Sequence, residues 1–202
     1  SVASVKESID NLNAAIEYYQ NENNPNRKYG YLKDVKRILR NIAYTTTRNV
    51  IDLKRNIDNT YKNEPTFSNK KKKLIRLDEK RKDIAALVNE CERVIDEKQA
   101  TFFIVAMDVQ LRETVTDVKL QLRDVYHNLL ELDRQIISYL NLVEYQNRLF
   151  EKLQKLKYLY DQKLLETNTD VEAKMDAKNP VWMEPRPRYP LKASLTMLRT
   201  SD

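Results

Sequence analysis

The side chains that most often catalyse reactions or hold metals are scarce in this chain, which has one histidine, His127, and one cysteine, Cys91. A metal site on a helical bundle draws Glu-x-x-His pairs from facing helices, and one histidine cannot furnish two of them. One histidine with one cysteine is also a poor zinc set. At helical spacing His127 has Arg123, Glu131 and Leu132 as neighbours, which fits a solvated or partner-facing imidazole. Cys91 stands at helical spacing from Val88, Val94 and Ile95, the setting of a buried core thiol. There is no Gly-x-Ser-x-Gly elbow, and pairs such as Asp78-Glu79 or Glu90 with Glu92 are ordinary among 30 acidic residues. Nucleophilic catalysis needs a nucleophile, a base and an orienting group together. No catalytic, cofactor-binding or metal-binding residue is therefore expected, and the chain reads as a non-enzyme.

The chemistry of recognition is better represented. Lys70-Lys71-Lys72-Lys73 is followed by Arg76, Lys80, Arg81 and Lys82. Residues 28 to 55 add Lys28, Lys33, Lys36, Arg37, Arg40, Arg48, Lys54 and Arg55 against only Asp34 and Asp52. Such faces can neutralise phosphates without reading base sequence. Lys70, Lys71, Lys72, Lys73, Arg76, Lys80 and Arg81 are the candidates for nucleic-acid backbone contact. Consecutive lysines point all round a helix, so much of this run is also plain solvated surface. The second candidate is the stretch Asn179-Pro180-Val181-Trp182-Met183-Glu184-Pro185-Arg186-Pro187-Arg188-Tyr189-Pro190-Leu191. It holds four of the six prolines and the only tryptophan, and it reads as an extended, polyproline-like strand. Such a strand loses little entropy on binding, and Trp, Tyr and Arg are enriched at hot spots. Trp182, Met183, Arg186, Arg188, Tyr189 and Leu191 are the candidate partner-binding residues. The alternative is that Trp182 and Tyr189 pack back onto the chain's own helices.

The elements that would carry these groups are helices. From Leu111 to Leu164 an apolar stripe alternates four and three: Leu111, Val115, Val118, Leu122, Val125, Leu129, Leu132, Ile136, Tyr139, Val143, Gln146, Phe150, Leu153, Lys157, Tyr160 and Leu164. Gln146 and Lys157 alone break it. A period of 3.5 held so long means a helix packed along a neighbour, in a bundle or coiled coil. The two polar interruptions either set register against a partner helix, a homodimer included, or mark where the stripe leaves its partner. Shorter stripes precede it. Val2, Val5, Ile9, Leu12, Ile16 and Tyr19 make one; Leu32, Val35, Leu39, Ile42, Thr46, Val50, Leu53, Ile57 and Tyr61 make another; Leu74, Leu77, Ile84, Leu87, Cys91 and Val94 make a third. The single glycine, where average usage would give roughly 14, argues against tight hairpins, a P-loop and a Rossmann turn.

The expected architecture is all-α: a helical bundle or long antiparallel helical hairpin with heptad packing, then an extended proline-rich C-terminal segment. Helices are expected at about 2–20, 30–62, 68–97 and 102–166, with a break or kink between 96 and 110. Residues 167–202 are expected to be a linker that includes the partner-binding strand. Residues 102–107 are apolar but far too short to cross a bilayer, so no membrane contact is expected. One cysteine permits no internal disulfide, which fits a cytoplasmic location. Net charge is +6 with a pI near 9.2, compatible with nucleic acid or an acidic partner. The start at Ser1-Val2-Ala3 and the stop at Ser201-Asp202 suit a piece of a longer protein.

The layout resembles the middle region of bacterial kleisins of the MukF or MksF type, including the related Wadjet plasmid-defence subunit. Arg48-Asn49-Val50-Ile51-Asp52-Leu53-Lys54-Arg55-Asn56-Ile57 and Ile136-Ile137-Ser138-Tyr139-Leu140, continuing to Leu149-Phe150-Glu151-Lys152-Leu153, carry the likeness. It implies a non-catalytic subunit that bridges the heads of an SMC ATPase, with residues 179–191 gripped by winged-helix subunits and a location at the nucleoid. The winged-helix ends of a whole kleisin are not apparent. The rival function is a sequence-independent nucleic-acid binder acting through the basic helix faces.

Overall fold

The structure is a computed structural model that describes residues 2–104 and 109–178, with side chains described for residues 3–99 and 109–174. Four helices make it up: α1 Val2–Asn21, α2 Pro25–Asn63, α3 Phe67–Ile104 and α4 Val109–Lys178. Helix takes 96% of the described residues and none is in a strand, so the all-α reading holds.

Local chemistry sets the helix ends. Asn24 caps α2, its side-chain oxygen accepting from the backbone N–H of Asn26 at 2.9 Å and of Arg27 at 3.4 Å. Pro25 then occupies the first helical turn, where its missing N–H has no cost. The helix therefore begins five residues before the expected position 30, and Gly30 lies within it with open space at its Cβ position. α2 stops at Asn63, ahead of Pro65. Thr66 starts α3 by accepting from the N–H of Asn69 at 3.3 Å. α3 runs to Ile104 and α4 begins at Val109, so residues expected at the start of the fourth helix belong to the third. α4 does not end near 166, and the segment expected to be linker from 167 is helical through Lys178. The hydroxyls of Thr167 and Thr169 donate to the carbonyls of Lys163 at 2.9 Å and Leu165 at 2.8 Å. With these polar groups satisfied and no Gly or Pro present, nothing there stops the helix.

Cross-helix pairs give the topology. Phe67 meets Phe150, Arg81 meets Asp133 and Asp96 meets Lys119, so α3 and α4 are antiparallel. Arg40 reaches Thr114 while Asp58 reaches Gln135 and Tyr139, so α2 and α4 are parallel. α1 folds back on α2, with Tyr18 stacked on Tyr31 at 5.6 Å and the Lys28 ammonium 5.0 Å from the Tyr19 ring. The result is a three-helix bundle of α2, α3 and α4, with α1 laid against α2 and α3.

The α2 and α4 stripes lie where their spacing put them. Leu32, Val35, Leu39, Ile42, Thr46, Val50, Leu53 and Ile57 are all buried, as is every α4 stripe residue from Leu111 to Ile136. Thr46 is tolerated in the core because its hydroxyl donates to the Ile42 carbonyl at 2.9 Å. In α3 the expected Leu74, Ile84, Cys91 and Val94 are buried and Leu77 is half-buried, and Lys70, Arg81, Val88 and Ile95 are buried beside them. Leu87, expected in the seam, is only half-buried.

α4 outlasts its neighbours. α2 has ended at Asn63, and α3 has only just begun where Phe67 packs on Phe150, ring centroids 5.9 Å apart. Val143 is the last buried residue among the described part of α4. Gln146 follows, its Oε1 shielded from solvent yet without a hydrogen bond among the described residues. The polar interruption of the stripe thus falls where the bundle ends. Residues 151–178 continue as a projecting rod, about 42 Å long at 1.5 Å per residue.

Candidate interaction surfaces

The sequence-derived basic surface is partly an interior. Lys70 is fully buried, its Nζ 5.1 Å from the centroid of the Tyr61 ring. Arg81 is 9% exposed and bridges two helices, with Nε 2.9 Å from Asp78 and Nη2 3.1 Å from Asp133 of α4. Neither is available to a phosphate, which corrects their assignment to a nucleic-acid face. Lys36 is likewise buried, donating to Gln110 at 3.4 Å. Their long stems serve as apolar packing while the charged ends find partners. Lys71, Lys72, Lys73, Arg76 and Lys80 remain exposed. Of these, Lys73 is ion-paired with Glu64. Lys73 and Arg76 line a groove with Asn56, Asn59 and Thr60 of α2.

Beside Lys70 the bundle holds a polar and aromatic cluster that composition did not single out. Tyr61 of α2 stacks on Tyr139 of α4, centroids 4.1 Å apart and planes within 3°. The Tyr139 hydroxyl donates to Asp58 at 2.9 Å, and Gln135 Nε2 donates to the same carboxylate oxygen at 2.8 Å. Burial, and then the hydrogen bond to Asp58, push the Tyr139 phenol above its ordinary pKa. The readable signal was spacing: Asp58 and Gln135 each stand one helical turn before a stripe tyrosine. The cluster joins α2, α3 and α4 near the level where α4 leaves the bundle. It ties the three helices together, and a groove lined by Val50, Lys54, Asn128, Glu131 and Gln135 runs beside it.

His127 is exposed, its ring 6.5 Å from that of Tyr126. Cys91 is buried, and desolvation, reinforced by Glu92 and Glu90, pushes its thiol up to about 12. At neutral pH that sulfur stays protonated and is no nucleophile. Among the described residues no three His, Cys, Asp or Glu side chains gather as a metal set. No helix among them is long and apolar enough to cross a membrane. Trp182, Met183, Arg186, Arg188, Tyr189 and Leu191 lie outside the described residues.

The projecting part of α4 has no neighbouring helix among the described residues. Leu156, Tyr158, Leu159, Tyr160 and Leu165 are all exposed on it. Comparison with protein-family models, with curated proteins and with solved structures returns no match.

Proposed function

We propose that this chain is a non-catalytic scaffold that holds a partner-recruiting strand at a fixed distance from a helical bundle. The observation that carries this reading is the continuity of α4 over 70 residues, anchored in the bundle at one end and projecting at the other. A helix of that length is about 105 Å long and transmits position well. The Trp182-to-Leu191 stretch follows it closely in sequence. The buried thiol, the solitary exposed histidine and the interior cations, Arg81 on two carboxylates, Lys70 on the Tyr61 ring and Lys36 on Gln110, fit a structural role better than a reactive one. The kleisin-like layout gives the setting: an SMC-type chromosome or plasmid-maintenance complex, cytoplasmic and nucleoid-associated, with winged-helix subunits gripping residues 179–191. The test is calorimetric titration of the chain with the winged-helix subunits of such a complex. Trp182→Ala with Tyr189→Ala should abolish binding with the far-ultraviolet circular dichroism unchanged. Full affinity in that double variant refutes the docking strand.

A second reading is favoured by the groove where Lys73 and Arg76 stand beside Asn56, Asn59 and Thr60. There the chain would hold duplex DNA by its backbone. Replacing Lys71, Lys72 and Lys73 by Gln should then lower the slope of log affinity against log salt by about 2 to 3. No retention of duplex DNA at low salt in a filter-binding assay removes this reading.

A further inference from the structure

The stripe that builds the bundle does not stop where the bundle does. Past Phe150 its seam positions are Leu153, Lys157, Tyr160, Leu164, Thr167 and Val171, with Leu156 widening the apolar face. Leu156 is 57% exposed and Tyr160 is 44% exposed. The seam positions from Leu153 to Val171 span 19 residues, close to the three heptads at which seams sustain helix pairing, and the same spacing then reaches Lys174 and Lys178. Lys157, the one charge among these six positions, is already neutralised by Asp161 on the next turn, Nζ to Oδ2 3.0 Å.

Charge is unevenly distributed along this rod. Residues 151–163 carry Lys152, Lys155, Lys157 and Lys163 against Glu151 and Asp161, a net +2. Residues 164–174 carry Glu166, Asp170 and Glu172 against Lys174, a net −2. A rod that is basic near its root and acidic beyond is complementary to itself when reversed. A parallel pair would place like on like.

We infer that the projecting part of α4 pairs antiparallel with the same segment of a second copy of this chain. In the register that best fills the seam, Leu153 faces Val171 of the second copy and Tyr160 faces its Leu164. Lys157 then lies opposite Thr167, where its stem packs and its ammonium stays with Asp161. The two bundles stand at opposite ends of the paired rods. The pairing depends only on α4, whatever the tail binds.

The experiment is sedimentation equilibrium of the full chain over a range of concentrations. A dimer is expected, with its dissociation constant rising about tenfold between low and high salt as the half-to-half attraction is screened. Leu153→Glu with Leu164→Glu should be monomeric with helicity retained, since both side chains lie outside the bundle. Orientation is read by mixing separately tagged Leu153→Cys and Val171→Cys chains under oxidising conditions. Cys91, buried with its thiol held protonated, does not compete. The expected product links one variant to the other. A wild-type monomer at every concentration overturns the inference, as it would if the chain's own residues 179–202 folded back over the rod. A dimer that persists in the double glutamate variant places the interface elsewhere and also overturns it. Disulfides formed chiefly between two Leu153→Cys chains overturn the antiparallel orientation.

Discussion

Removing the Asp58 carboxylate tests whether the polar cluster clamps the bundle. Asp58→Ala deletes two hydrogen bonds to one oxygen, from Tyr139 at 2.9 Å and from Gln135 at 2.8 Å. A hydrogen bond to a charged acceptor contributes about 1.5–3 kcal/mol when well sheltered. The three side chains are half-buried, so the lower end applies to each bond. The orphan penalty is small as well, because Gln135 still donates to the Tyr139 hydroxyl at 3.0 Å. The expected loss is about 2–3 kcal/mol. Tyr139→Phe keeps the ring stacked on Tyr61 and loses only the hydroxyl's bonds, about 1–1.5 kcal/mol. The double variant removes the shared bond once, so its cost should fall short of the sum by about 1 kcal/mol. Urea unfolding followed by circular dichroism at 222 nm measures all three. The sign with pH is also set. The folded state raises the Tyr139 pKa, so its contribution is complete below the ordinary phenol range and is lost as pH rises through the raised value. Tyr139→Phe should therefore lose stability less steeply above about pH 10 than the parent does. Additivity within about 0.3 kcal/mol would refute the shared-carboxylate argument.

Two further outcomes follow from the core. Cys91 should resist thiol reagents in the folded chain at mildly alkaline pH and react at once in denaturant. Because its folded pKa is raised to about 12, stability should also decline between the ordinary thiol range and that value, and Cys91→Ala should lack this decline; rapid labelling of the native chain would contradict its burial. Leu122→Ala, at a fully buried seam position, should destabilise by about 2–5 kcal/mol, while Leu159→Ala on the exposed side of the rod should change stability by less than about 0.5 kcal/mol in urea unfolding.

The stripes of α2 and α4 were legible because nearly every inner position is aliphatic and the period alone identifies the face. The α3 seam was legible only in part, because two of its inner positions are Lys70 and Arg81. A pattern scored by residue type sends them to solvent, whereas their stems pack and their charged ends meet Tyr61, Asp78 and Asp133. Helix ends fared similarly. Thr66 and Pro65 could be read directly. The start of α2 at Pro25 rather than 30 and the continuation of α4 past 166 could not. In each case a side-chain hydrogen bond to the backbone decided the matter, and such bonds leave no periodic trace.

Heptad spacing and near-absence of glycine by themselves determined that the chain is a set of long helices packed by seams, since those features act within one helix and its immediate neighbour. Only the tertiary structure decided which cations became interior, which helices run parallel, and that α4 continues past the bundle with its apolar face uncovered among the described residues. Those outcomes depend on where other helices begin and end in space. A residue's burial is set by what stands opposite it, and leucines occupy the α4 stripe on both sides of Phe150.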